Sequence, residues 1–181
     1  RRYLLAYFIY IMAVQTVMLI AAYFGAKEIG WGGEEEKRMG LIISILLIQL
    51  VAVLGAYLTS LASSRFGNIN VLMALNIIWI LVCMYAYVMY SPIQFYIGAG
   101  VVGLVMGGIQ ALSRSTYSKF LPETKDTTSY FSFFDVAEKV GIVFGMVIFA
   151  IVDQISNMRT GIVFLILLFV LGTLFLSRVP R

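Results

Sequence analysis

Six runs of mostly apolar residues, each about as long as a bilayer is thick, constrain this chain more than anything else in it. They lie at about 3–23, 40–62, 69–90, 93–113, 131–153 and 160–177. A helix needs roughly 20 such residues to cross about 30 Å of hydrocarbon. Within hydrocarbon every backbone polar group must find its partner inside the protein, which leaves helices or closed barrels, and runs of this length select helices. The sequence therefore predicts an all-α membrane protein of six transmembrane helices. Composition agrees where it matters: 12% of residues are charged, against about a quarter in a domain whose surface faces water.

Absences narrow the chemistry. The chain has no His, so it can build no Ser-His triad, His-ligated metal site or His proton shuttle. Nothing in it reads G-x-x-x-x-G-K-[ST], the loop that cradles ATP phosphates. Cys83 stands alone, which rules out an internal disulfide and a multi-cysteine zinc site. No cofactor, no metal and no enzymatic activity are expected. The Arg1-Arg2 start runs straight into an apolar run without a cleavage site, and no initiating Met is present, so Arg1 is read as a cut or as an interior position of a longer protein.

The connections between runs follow a pattern: a long one, a short one, a near-touch at Ser91-Pro92, a long one, a short one. That reads as two three-helix units, 1–91 and 92–181, within a single six-helix domain spanning 1–181. A unit with an odd number of helices enters the membrane from the opposite side on its second occurrence, which gives an inverted-topology repeat.

Orientation follows from the basic residues in short loops. Arg1, Arg2, Arg65, Arg114, Lys119, Lys125, Arg178 and Arg181 fall on the side of the N-terminus. Lys27, Lys37, Arg38 and Arg159 fall opposite, beside Glu28, Glu34, Glu35, Glu36 and Asp153. Both termini are expected in the cytoplasm, and the expected location is a bacterial inner (plasma) membrane. The basic excess is thus a topology signal, and no nucleic-acid partner is expected.

Polar residues inside the runs mark the candidate sites. In the fourth, Gly100, Gly103, Gly107, Gln110 and Arg114 are spaced to form one stripe, either for close helix packing or as a cavity wall. In the fifth, the uncharged stretch 140–152 covers only about 20 Å as a helix, so the span must take in Asp135, Glu138 and Lys139. Such charges cost about 2.5–3.5 kcal/mol each on insertion scales and face protein or water. Asp135 and Lys139 have pairing spacing, while Glu138 shares a face with Gly141 and Gly145. The cluster reads either as an ion-pair latch that includes Arg114 or as a coupling site. In the first run, Tyr3 and Tyr7 read as interfacial belt residues, whereas Tyr10 and the mid-membrane Gln15 are cavity candidates. Gln49 and Gln110 join them, and Asn76 raises the same question of where a buried amide finds its partner. The sixth run has almost no polar content and is expected to face lipid.

Several of these segments resemble the vacuole-effluxer-like branch of the major facilitator superfamily. They are Val14-Gln15-Thr16-Val17, Leu46 to Ala52, the run Gly107-Gly108-Ile109-Gln110-Ala111-Leu112-Ser113-Arg114-Ser115, and Tyr130 to Asp135 ahead of Lys139. The resemblance covers most of the chain and corresponds to helices seven to twelve of a twelve-helix transporter. It implies an alternating-access carrier with a mid-membrane substrate site shared with an N-terminal six-helix half. The first and fourth spans would line that cavity, the second and fifth flank it, and the third and sixth face lipid. Amino acids are the solute class it suggests, by efflux. The sequence also departs from the pattern. The superfamily's G-x-x-x-D-R-x-G loop motif is matched by Ser60-Leu61-Ala62-Ser63-Ser64-Arg65-Phe66-Gly67, with Ser64 in place of the acid, and Met146 stands where a Pro is expected. A self-contained six-helix protein, acting as a homodimeric carrier or channel or as an interaction subunit, is the alternative.

Overall fold

The computed structural model describes residues 2–121 and 127–179; Arg1, Lys125 and Arg181 lie outside the described residues. Six helices follow one another: α1 (Arg2–Glu28), α2 (Glu34–Phe66), α3 (Asn68–Val88), α4 (Pro92–Lys119), α5 (Thr127–Ile155) and α6 (Met158–Ser177). Among the described residues there is no strand. All but α5 are long and apolar enough to cross a membrane. Helix α5 has the length, at 29 residues, but carries Asp135, Glu138, Lys139 and Asp153.

Most helices run past the apolar stretches that announced them. The first connection shrinks to 29–33 because α2 begins at Glu34, outside the apolar region, with Glu34, Glu35 and Glu36 in its first turn. Negative charge there complements the helix dipole, and the Glu36 carboxylate accepts from the Gly32 backbone N–H at 2.7 Å. Hydrophobicity is needed only where the helix meets lipid, so apolar runs underestimate helix length at wet ends. Between α3 and α4, Pro92 opens a helix rather than breaking one. Ser91 caps α4: its hydroxyl accepts from the Gln94 N–H at 3.4 Å, and the Gln94 side chain accepts from the Ser91 N–H at 3.1 Å.

The helices do not pack in sequence order. Helix α1 lies against α5 and α6, α4 lies against α2 and α3, and α3 meets α6. Two trios result, α1–α5–α6 and α4–α2–α3, each drawing helices from both ends of the chain. Exchanging α1, α2 and α3 for α4, α5 and α6 leaves this set of pairings unchanged. The trios join chiefly where Trp79 of α3 stacks on Phe169 of α6, ring centroids 5.6 Å apart and 6° from parallel.

Small residues set the closest approaches, as expected where apolar surface alone gives helices no preference for each other over lipid. A β-carbon on Gly103 would sit 2.6 Å from the Ile48 carbonyl oxygen. One on Gly107 would overlap the Ala52 backbone, and one on Gly55 that of Leu104. On the other trio, a β-carbon on Gly145 would stand 2.9 Å from the Met12 carbonyl oxygen, while Gly141 makes ordinary contacts with α1 at 3.7 Å. Gly100 breaks the expected stripe: nothing lies within 4 Å of its β position, because α2 closes on α4 only from Gly103 onward.

Two other expectations are corrected. Helix α6 does not simply face lipid: Gly161 sits against Phe149 of α5, Phe169 against Trp79 of α3 and Gly172 against Tyr10 of α1, Leu165 and Leu176 are also buried, and the side bearing Val163, Leu167 and Leu174 is open. In a membrane both surfaces are apolar, so composition does not tell them apart. Tyr3 and Tyr7 are not belt residues either. Both are buried, and the Tyr3 hydroxyl donates to the Ser113 carbonyl at 2.7 Å.

Candidate functional site

Four side chains that the sequence flagged separately form one polar surface near mid-helix. Gln15 of α1 donates its amide N–H to the Glu138 carboxylate of α5 at 2.6 Å. One turn further along α1, the Met18 sulfur accepts from the Gln110 amide of α4 at 3.6 Å. Met18 also shares a shallow recess of about 110 Å³ with Gln49 of α2 and with Ile45, Ile48, Val102 and Met106. Gln15, Gln110 and Glu138 are half-buried and Gln49 is exposed. The described helices therefore leave each of these polar groups at least partly uncovered.

The charged residues divide into two sites one turn apart. Asp135 does not pair with Lys139, as its spacing suggested. It takes the Arg114 guanidinium of α4 instead, at 2.5 Å, since a guanidinium on a neighbouring helix reaches it directly while Lys139 turns outward, 73% exposed. Arg114 also lies over the rings of Phe131 and Phe134, 5.7 Å from the latter's centroid. Glu138 sits deeper, 20% exposed; Lys139 stands 3.9 Å away. Its second oxygen accepts from the Tyr7 hydroxyl at 3.4 Å.

An aromatic stack seats these groups. Tyr7 stacks on Phe134 at 4.0 Å between centroids, and Phe134 on Tyr117 at 4.7 Å, which joins α1, α5 and α4 beside the Arg114–Asp135 pair. Tyr10 has no accessible surface; its hydroxyl bonds the Ser113 hydroxyl at 2.7 Å, tying α1 to α4. Asn76 does not reach another helix: its amide donates to the Leu72 carbonyl one turn back, at 2.9 Å.

Arg65, in the segment that resembles the superfamily motif, lies in the last turn of α2 and not in a loop; it is exposed and makes no ion pair among the described residues. The link from this end of the bundle to α4 is made by Asn68, the first residue of α3, which donates to the Thr116 hydroxyl and accepts from Lys119, both at 3.0 Å. Asn68 was missed because the motif draws attention to charges, whereas a neutral amide that follows Gly67 does the work here. Gly67 is the one described residue with a left-handed backbone, φ 84°; that turn delivers Asn68 to the start of α3.

Arg159 was read only as a loop charge, yet it is the most heavily engaged cation in the structure. At the start of α6 it pairs with Glu28 of α1 at 2.9 Å. It donates to the backbone carbonyls of Tyr87 and Met89 at 2.5 and 3.0 Å, at the end of α3, and it lies 4.1 Å over the Tyr90 ring. A signal existed: three helices end on that side near aromatic residues, with carbonyls left open.

Among the described residues no group of His, Cys, Asp or Glu is arranged to hold a metal ion. The whole chain, residues 1–181, matches the family model described as vacuole effluxer Atg22 like. It is 33% identical over 180 residues to an uncharacterized MFS-type transporter of Bacillus subtilis, YxiO, covering 99% of this chain and 40% of that protein. It is 29% identical over 177 residues to autophagy-related protein 22 of Eremothecium gossypii, covering 91% of this chain and 34% of that one. With autophagy-related protein 22 of Saccharomyces cerevisiae the identity is 27% over 183 residues, covering 94% and 33%. The chain thus spans 33–40% of the length of these relatives.

Proposed function

This chain belongs to the vacuole effluxer Atg22-like family, and on that footing we propose that it is the C-terminal six-helix half of a twelve-helix alternating-access carrier. One observation carries the reading: Gln15, Gln110 and Glu138, linked through α1, and Gln49, in one recess with Met18, are polar groups in the middle of apolar helices that the described residues leave partly uncovered. Polar groups at that depth face protein or water, not lipid. An opposing set of helices would complete the surface as a cavity, and the missing length relative to YxiO and the Atg22 proteins leaves room for it. The exchange-symmetric helix pairing supports the inverted repeat, with units 1–91 and 92–181.

Within this carrier, Gln15, Gln49 and Gln110 contact the solute. Each amide both donates and accepts, which suits a small hydrogen-bonding solute, and we put forward an amino acid. Arg114 and Asp135 form a latch between α4 and α5, and Tyr10 holds α1 to α4 from behind the cavity wall. Arg65, Arg114, Lys119 and Arg178 gather on the face of the N-terminus, consistent with cytoplasmic termini; the inner membrane of a bacterium is the location we propose. No step of transport requires bond chemistry, so the carrier is not an enzyme.

The test is uptake of radiolabelled amino acids by proteoliposomes holding either the full-length protein or residues 1–181 alone. The full-length protein takes up solute and the six-helix piece does not, because half of its site is missing. Uptake by the piece alone would replace this reading with a homodimeric six-helix carrier. A full-length protein that moves none of the amino acids would remove that solute class.

A further inference from the structure

Asp135 and Glu138, the carboxylates in the first half of α5, differ in the partners each has, and the difference assigns them different roles. Asp135 is matched by a full opposite charge, the Arg114 guanidinium, in a site where both side chains are about half exposed. Protonating it would forfeit that pair. Glu138 is deeper, and its closest partners are neutral: the Gln15 amide at 2.6 Å and the Tyr7 hydroxyl at 3.4 Å, with the largely exposed Lys139 ammonium further off at 3.9 Å. Both of these can also accept a hydrogen bond. Turning the Gln15 amide about its last bond presents the carbonyl oxygen in place of the NH₂, and the Tyr7 oxygen retains its lone pairs. The same two residues can therefore satisfy Glu138 with or without a proton.

We infer that Glu138 is a proton-binding site built between α1 and α5, with Gln15 as the group that switches from donor to acceptor when the proton arrives. The ionisable groups around it among the described residues include Lys139, which ends 3.9 Å away with its side chain 73% exposed. From α1, Tyr7 faces it, with Tyr3 and Tyr10 further along the helix and bonded to Ser113. From α4 comes Arg114, held by Asp135. Helix α6 carries no ionisable group between Arg159 and Arg178 at its two ends. On α5 itself Lys139 points outward. Proton loading would replace the charge-assisted Gln15 bond with a neutral one of about half the strength, loosening α1 where it lines the proposed cavity. The functional meaning of this switch rests on the carrier reading; the proton site itself does not.

The experiment is a pH-difference infrared spectrum of the full-length protein in lipid nanodiscs, which records the C=O stretch of carboxyl groups as they gain protons. Glu138→Gln removes one carboxyl band, and Asp135→Asn leaves that band in place. Gln15→Leu keeps the band but moves it to higher frequency, because the carboxyl has lost its hydrogen-bond partner. This third variant answers the question even if the Glu138 variant fails to fold. A spectrum unchanged in both Glu138→Gln and Gln15→Leu overturns the inference. Transport measured on the same preparations keeps the two readings apart: loss of the band in a protein that moves no solute leaves the proton site standing and removes the carrier. Solute uptake with the band intact in Glu138→Gln does the reverse.

Discussion

Replacing Arg159 with Ala tests the heaviest polar contact in the molecule. The side chain is 13% exposed and its partner Glu28 24% exposed, so water replaces little of what is lost. The guanidinium donates from its Nε to Glu28, from Nη1 to the Tyr87 carbonyl and from Nη2 to the Met89 carbonyl. Truncation leaves a carboxylate without its cation, together with α3 carbonyls that have no partner within their helix. Removing one member of a buried ion pair costs about 3–5 kcal/mol. Glu28→Gln keeps an acceptor for Nε and should cost about 1–2 kcal/mol. Because the two residues touch, the double variant should be less destabilised than the sum, by about 1.5–3 kcal/mol. Arg159→Lys should recover less than half of the Ala loss, since one ammonium cannot span a carboxylate and two separate carbonyls. The assay is equilibrium unfolding of the full-length protein in mixed micelles, run as a double-mutant cycle. A loss below about 1 kcal/mol for Arg159→Ala, or strict additivity with Glu28→Gln, would refute the buried-clamp reasoning and make this an ordinary surface pair.

Two further predictions concern the α2–α4 trio. Gly103→Val and Gly107→Val force α2 off α4 and should each destabilise by at least about 1–3 kcal/mol, whereas Gly100→Val should stay within about 0.5 kcal/mol because its β position is empty; the same unfolding assay ranks them. Asn68→Ala should cost about 1 kcal/mol and speed protease cutting of the loop between α2 and α3, while Arg65→Ala, which makes no ion pair here, should alter neither measurably.

Length and hydropathy carried most of the architecture. Six helices, five of them apolar enough to span, their order and the reversal at Ser91-Pro92 follow from lipid's demand for long apolar helices. The partner of each helix was less legible, because in lipid the surface that meets another helix and the surface that meets an acyl chain are equally apolar. Where small residues marked an interface, as at Gly103 and Gly107, the sequence pointed to it; α6 gave no such contrast and was misjudged. Polar residues were easier to flag than to pair. Gln15 and Glu138 stood out as costly in hydrocarbon, but nothing local says that they meet across 123 positions. Local spacing even misled, since Asp135 and Lys139 have the right separation and Arg114 outcompetes Lys139. Arg159 and Asn68 were overlooked because each acts on backbone or hydroxyl groups at helix ends, which leave no charge pattern to read.

The interleaving of the two trios also bears on how the protein is made. Of these six helices α1 leaves the ribosome first, yet the helices it packs against, α5 and α6, come last. At about 5–20 residues per second, the 123 positions between Gln15 and Glu138 correspond to a delay of roughly 6–25 s. Throughout that interval the mid-membrane amide of Gln15 and the hydroxyl of Tyr7 lack the carboxylate they bond in the finished protein. Something must shelter them meanwhile, either earlier helices of the same polypeptide or the insertion machinery. A chain cut between α3 and α4 would lose this shelter permanently, because each piece would hold one or two helices of both trios and complete neither.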